Sequence, residues 1–252
     1  GKAAARLWIV RHGQTDWNVQ GRVQGQIPTE LNEAGREQAR QLAEFLRGHR
    51  FAAAWSSDLP RACQTAEILA EGRGIAVGRS EALRERSFGV HEGKTAAEVR
   101  AALGPGFLRA AGESDAGNLD GAGATATGGG PGGKTQAGGD LANWAGVPGI
   151  ESDEALWTRV EECLRELSER HRGQDVLVVT HGGVVARVVY HVLGIPEGTP
   201  RHFALANGLV VVVQLKYERF HLLSLVDYPL VIDGTATVDT ATARPADGGN
   251  RE

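Results

Sequence analysis

The sequence predicts a three-layer α/β/α sandwich on a mostly parallel sheet with an antiparallel edge, and three observations carry that expectation. Two short apolar runs, Leu7-Trp8-Ile9-Val10 and Val176-Leu177-Val178-Val179, read as buried strands, and each is followed almost at once by histidine and glycine, His12-Gly13 and His181-Gly182. Segments with apolar residues at helical spacing alternate with the strands, the pattern of a parallel sheet covered on both faces. Two adjacent strand-like runs, Leu209 to Leu215 and Phe220 to Val226, read as a hairpin and supply the antiparallel edge.

After the first strand, Gly21 to Thr29 lacks periodicity and is expected to be a loop. Asn32 is placed to cap a helix whose Ala39, Leu42, Ala43 and Leu46 share one face. A short strand over Ala53 to Ser56 leads to Ser57-Asp58-Leu59-Pro60, a helix start with proline in the first turn. Ala62, Cys63, Ala66, Leu69 and Ala70 form the apolar face of that helix. Arg61 falls in its first turn, where a cation opposes the helix dipole; the placement makes sense if the side chain serves an anion. Ile75-Ala76-Val77 is expected as another short strand. Leu83 to Gly93, dense in charge and rich in glycine toward its end, is expected as a loop, and Thr95 with Glu98 fits a capping box. Ser152 caps a long helix carrying Leu156, Val160, Leu164 and Leu167. The second histidine strand leads into a helix from about Val184 to Leu193, closed by Gly194 and Pro196.

Between Gly104 and Gly149 the composition changes: 15 of the chain's 35 glycines fall there, with few large apolar groups to repay ordering entropy. Gly112 to Gly139 is therefore expected to be disordered or a mobile flap. It forms part of a glycine-rich insertion at about 104–149 in a single domain over residues 1–232; residues 233–252 are expected to be a disordered polar tail. A length of 252 residues with 41% apolar content supports a sizeable core. The net charge of −4 offers no electrostatic case for nucleic acid or an anionic membrane surface, and no apolar run approaches a bilayer span. Cys63 and Cys163 fall in predicted helices and read as buried thiols rather than a disulfide framework. The chain has no methionine, so its N-terminus reads as processed or trimmed. A cytoplasmic protein is expected, or an organellar one if a targeting segment was removed; the oligomeric state is open, with a homodimer among the options.

Taken alone, a strand ending in Arg11-His12 is a solvated surface pair. The second histidine strand changes that reading, because ligands of open α/β sheets bind beyond the carboxyl ends of parallel strands, so both histidines are expected on one rim. Gly13 is expected to let the backbone approach a ligand, and Asn18 to add amide donors. Arg11, His12, Asn18, Arg61, Glu85 and His181 collect there. Arginine forks match phosphate oxygens and keep their charge, so two of them around paired imidazoles describe a pocket for a dianionic phosphoryl group. A histidine can accept the phosphoryl group on a ring nitrogen, and a carboxylic acid such as Glu85 can protonate the leaving alkoxide. No carboxylate cluster suited to Mg²⁺ accompanies them, so the arginines are expected to stand in for a metal, with no cofactor.

Arg11-His12-Gly13-Gln14-Thr15 with Asn18 resembles the signature of the histidine phosphatase superfamily, the phosphoglycerate mutase-like fold. Further matches, in family order over roughly residues 7 to 228, are Leu31-Asn32-Glu33-Ala34-Gly35 with Gln38-Ala39, Ser56-Ser57-Asp58-Leu59-Pro60-Arg61-Ala62, Leu83-Arg84-Glu85 and Thr180-His181-Gly182-Gly183. The resemblance implies His12 as phosphate acceptor, Glu85 as proton donor and later base, and Arg11, Arg61 and His181 as phosphate ligands. Asn18, Gln24, Gly25 and Gly182 complete the implied substrate-binding set.

Two departures bear on function. The usual Pro-Gly-Gly-Glu-Ser before the long helix is Pro148-Gly149-Ile150-Glu151-Ser152, which puts contacts from that turn in doubt. The glycine-rich insertion also replaces the cap from which mutases grip their substrate. The run from Leu83 to Lys94 resembles the phosphatase branch, which includes fructose-2,6-bisphosphatase-like enzymes and metal-independent phosphoserine phosphatases. The leading expectation is thus a histidine acid-type phosphatase hydrolysing a small phosphorylated metabolite. The alternatives are a phosphoglycerate mutase and a non-catalytic phosphate or phosphoprotein binding module. Glu81 and Glu92 are rival carboxylates, with Glu92 expected to hold its loop together. His91 is expected to be solvated, and Trp17 to be core. His49, His171, His191, His202 and His221 are read as surface or packing.

Overall fold

Strict alternation in the central strands builds a core on each face of one sheet. The computed structural model describes residues 3–103, 149–196, 199 and 205–226. In β1 (Arg6–Arg11) and β4 (Asp175–Thr180), Leu7, Ile9, Val176 and Val178 pack toward one side, and Val10, Leu177 and Val179 toward the other. The first side is covered by α5 (Asp153–Arg170), through Leu156, Val160 and Leu164, and by α6 (Gly182–Leu193), through Val184, Val185 and Val188. The second is covered by α2 (Glu33–Phe45), through Leu42, and by α3 (Pro60–Ala70), through Ala62, Ala66 and Leu69. Each fully buried leucine or valine stabilises the fold by roughly 1.5–3 kcal/mol.

The sheet is completed by β2 (Ala53–Ser57), β3 (Val77–Ser80), β5 (Val210–Lys216) and β6 (Arg219–Val226), in the order β3-β2-β4-β1-β5-β6. The first four in that order run parallel, whereas β5 is antiparallel to β1 and β6 to β5. This is the expected mixed sheet with an antiparallel edge. Among the described residues the remaining α-helices are α1 (Asp16–Val19) and α4 (Ala96–Leu103).

Strand order creates a switch point. From β1 the chain passes to α2 on one face, and from its neighbour β4 it passes to α6 on the other. Diverging helices put a topological switch point beyond the ends of β1 and β4, the place where α/β sheets bind ligands.

Several local expectations hold in detail. Asn32 Oδ1 accepts from Gly35 N–H at 2.8 Å, and Ser152 Oγ from Ala155 N–H at 3.1 Å. Thr95 and Glu98 form the reciprocal capping box, Gly194 closes α6 in the left-handed conformation at φ 66°, and both cysteines are buried free thiols. Other elements differ. The strand expected at Ile75-Ala76-Val77 begins only at Val77 and continues through Gly78, Arg79 and Ser80, because pairing with β2 sets it. Gly78 suits that place: a Cβ there would lie 2.7 Å from the Trp55 ring. Helix α6 begins at Gly182 rather than near Val184, and α1 is an unexpected single turn closed by a Thr15–Asn18 capping box. The Gly112–Gly139 flap and the 233–252 tail lie outside the described residues.

Candidate active site

Both histidines do share one rim. Strands β1 and β4 pair with Arg11 opposite Thr180, and His12 N–H donates to Thr180 O at 3.0 Å, so each strand delivers its imidazole at the same level. The ring centroids are 5.2 Å apart. His12 Nδ1 lies 2.7 Å from Gly13 O. A carbonyl only accepts, so Nδ1 carries the proton and Nε2 keeps its lone pair. His12 is 3% exposed and His181 0%. Burial, then the Arg61 and Arg11 charges, hold His12 well below the ordinary histidine value. Burial, then Arg61 and His12, do the same to His181. Both rings are thus neutral near pH 7, and neither nitrogen of His181 has a hydrogen-bond partner among the described residues. Asn207, unremarked in the sequence, donates from Nδ2 to His12 O at 2.8 Å.

Gly13 has a packing reason to be glycine. A Cβ there would run into the Gly35 carbonyl, and one on Gly35 into Gln14 O, so the turn after β1 lies against the start of α2. Gly13 N–H donates to Thr65 Oγ1 at 3.0 Å, tying the turn to α3 as well.

Arg61 is 1% exposed. Its Nη2 donates to Gly25 O at 2.7 Å, and its Nη1 to Ile27 O at 2.8 Å and Thr29 Oγ1 at 3.2 Å. The guanidinium, expected to serve an anion, anchors the Gly25–Thr29 loop through these contacts, while its buried Nε has no hydrogen-bond partner among the described residues. Burial pulls its pKa down to about 10, with Glu85 opposing the shift, and the group stays charged at neutral pH. Arg11 packs over the start of α6, where a Cβ on Gly182 would lie 3.3 Å from its Nε. Gln24 and Asn18 are turned inward. Gln24 Oε1 accepts from Thr15 and Thr29 hydroxyls, and Asn18 Oδ1 accepts from Thr15 N–H at 3.0 Å.

Glu85 reaches the rim from the 83–93 segment, which is a loop interrupted by one tight helical turn over Gly89–His91. Its Oε2 accepts from Gly183 N–H at 2.9 Å and its Oε1 from Arg86 N–H at 2.7 Å. A Cβ on Gly183 would run into Glu85 Oε1, so a side chain there displaces the carboxylate. Glu92 holds its loop as expected: Oε1 accepts from Gln26 N–H at 3.1 Å and Phe88 N–H at 3.0 Å. Glu81 is exposed. In the turn after Gly149, Glu151 Oε2 accepts from Ser87 N–H at 3.1 Å and both its oxygens accept from Arg159. Arg159 is a neighbour of the site that residue patterns did not single out.

His91 corrects an expectation. It is only 6% exposed, because the Gly89–His91 turn leaves Val90 in solvent and takes the imidazole inward. His49 packs against Trp8, His191 stacks on Trp157, His171 ends α5, and His221 is exposed on β6; His202 lies outside the described residues. Trp17 is half-buried and abuts Gly93. Among the described residues no helix is long and apolar enough to cross a membrane.

A family model described as the histidine phosphatase superfamily (branch 1) matches residues 7–128 and 110–228. Phosphoglycerate mutase-like protein 4 of Arabidopsis thaliana is 33% identical over 187 residues, 72% of this chain and 68% of that protein. "Probable phosphoglycerate mutase GpmB" of Salmonella choleraesuis is 31% identical over 202 residues, 80% of this chain and 81% of the relative. Among solved structures, a mycobacterial glucosyl-3-phosphoglycerate phosphatase superposes with a TM-score of 0.67 at 31% identity, covering 87% of this chain and 97% of the other.

Proposed function

The chain belongs to the histidine phosphatase superfamily (branch 1), and on that footing we propose that it is a metal-independent phosphomonoesterase acting on a small phosphorylated metabolite through a phosphohistidine. The observation that carries the reading is the His12 tautomer: with Nδ1–H donated to Gly13 O, a neutral ring presents Nε2 as nucleophile. In the first step Nε2 bonds to phosphorus while the P–O ester bond breaks, and the leaving alkoxide takes a proton from the Glu85 carboxyl. In the second, Glu85 removes a proton from water, the water oxygen bonds to phosphorus, and the P–N electron pair returns to Nε2. Arg11, Arg61 and His181 bind the phosphoryl oxygens, supplying the charge stabilisation that a metal would otherwise provide. Asn18, Gln24, Gly25 and Gly182 shape the mouth. Chelator is expected to leave the rate unchanged; loss of activity restored by Mg²⁺ would sink the metal-free scheme.

The two relatives named as mutases favour a second reading, in which the phosphoenzyme passes its group to a sugar acid. Such an enzyme must grip a further anionic group. Arg84, Arg86 and Arg159, the arginines nearest Glu85 along its loop and α5, are each already paired with a carboxylate, Asp58, Asp153 and Glu151. That pairing supports water as acceptor. Incubation with small phosphate monoesters is expected to release free phosphate, with little interconversion of 2- and 3-phosphoglycerate. Mutase turnover exceeding phosphate release more than about tenfold, a margin of about 1.4 kcal/mol between transition states, would reverse the assignment.

A further inference from the structure

Glu85 sits on a segment that belongs to no strand, yet nearly every carbonyl around it is held. Arg159, on α5, accounts for most of this. Its Nη1 donates to Ala82 O and Arg84 O, both at 2.8 Å, and its Nη2 to Glu85 O at 3.0 Å. The fork is completed by Glu151, with Nε to Oε1 at 2.7 Å and Nη2 to Oε2 at 2.8 Å. All five N–H donors of the guanidinium are thereby used, three on the acid's own stretch of backbone. Leu83 O, the carbonyl left between them, accepts from Thr180 Oγ1 at 2.7 Å, on the strand that carries His181.

We propose that Arg159 is the positioning residue for the proton donor. Resting on the reading of Glu85 as acid, this assigns to the Arg159–Glu151 pair the task of setting the 82–85 backbone so that the Glu85 carboxyl stays against Gly183 N–H. Proton transfer requires a group held within a fraction of an ångström of its productive place, and a loop does not provide that by itself. Lysine cannot substitute, because one ammonium has three donors and no planar fork to span three carbonyls and a carboxylate. Its five donors reach none of the phosphate ligands Arg11, Arg61 and His181. A lysine there keeps the positive charge that Arg159 places near His181, so that substitution acts on the acid rather than on anion binding.

The test compares Arg159→Lys with Glu85→Gln on glycerol phosphate, a poor leaving group, and p-nitrophenyl phosphate, which leaves without a proton. Arg159→Lys is expected to lower kcat for glycerol phosphate by roughly 10²-fold, the cost of misplacing a reacting group by about 1 Å. Its effect on p-nitrophenyl phosphate and on vanadate affinity should be slight. The double variant should lose little beyond Glu85→Gln alone. Glu151→Gln, which keeps the shape and removes the anchoring charge, should move the same way and decides the matter if the lysine variant does not fold. Equal losses on both substrates, or weakened vanadate binding, in these variants would mean support of the whole site and overturn the proposal. Equal losses in Glu85→Gln itself would remove the acid assignment and the proposal with it, so the two failures are distinguishable.

Discussion

The two histidines and Glu85 reach one rim by different routes. His12 and His181 extend central strands already locked in a parallel ladder, and His12 N–H continues that ladder to Thr180 O. Their placement is a by-product of the core. Glu85 has no ladder; it is held by a guanidinium 74 residues further along the chain and by a backbone N–H 98 residues away. Errors near the strand-borne groups should therefore appear as lost stability, whereas errors near the loop-borne acid should appear as lost turnover in a folded enzyme.

Four experiments press on that contrast. His12→Asn keeps the size of the ring and removes the nucleophile, so phosphate release should fall by more than the roughly 10²–10⁴ typical of a general acid, for alkyl and aryl esters alike. Activity near the native level would show that another residue takes the phosphoryl group. On the loop side, Gly183→Ala puts a methyl against the Glu85 carboxylate. Alkyl phosphate turnover should drop about 10²-fold while thermal stability is kept; unchanged kcat would mean that the seat at α6 is not where the acid works.

Gly13→Ala probes the strand side. Its methyl meets a backbone carbonyl, Gly35 O, which cannot rotate away. The expected cost is about 1–3 kcal/mol in chemical denaturation, as for other overpacked sites. A variant as stable as the parent would contradict the close packing of turn and helix.

The last experiment follows from the lowered pKa values of His12 and His181, which in the unfolded chain return toward 6.5. Between the depressed folded values and 6.5 the unfolded chain binds more protons, so stability rises with pH through that window and is lost as pH falls below 6.5. Each histidine can contribute up to about 1.4 kcal/mol per pH unit. Urea midpoints measured from pH 7 to 5 should decline more steeply for the parent than for His181→Gln. Identical slopes would argue that His181 is not buried as a neutral ring.

What the sequence determined by itself is local. Caps at Asn32 and Ser152, the box at Thr95 and Glu98, the glycine stop at Gly194 and the two histidine strands are legible because each rests on contacts within a few residues or on periodicity. The pairing of His12 with His181 also followed, since two like strands in an α/β sheet deliver their ends to one side. The tertiary structure alone decided that β4 lies between β1 and β2, that β3 runs over Val77–Ser80, that His91 is buried, and that Gly13 packs on Gly35. It also decided what holds Glu85. Arg159 has an unremarkable place on an amphipathic helix, and only folding brings its five donors to the carbonyls of Ala82, Arg84 and Glu85 and to Glu151. Periodicity reports which face of an element is buried, but a hydrogen bond between side chain and distant backbone depends on distances that exist only once the layers are packed.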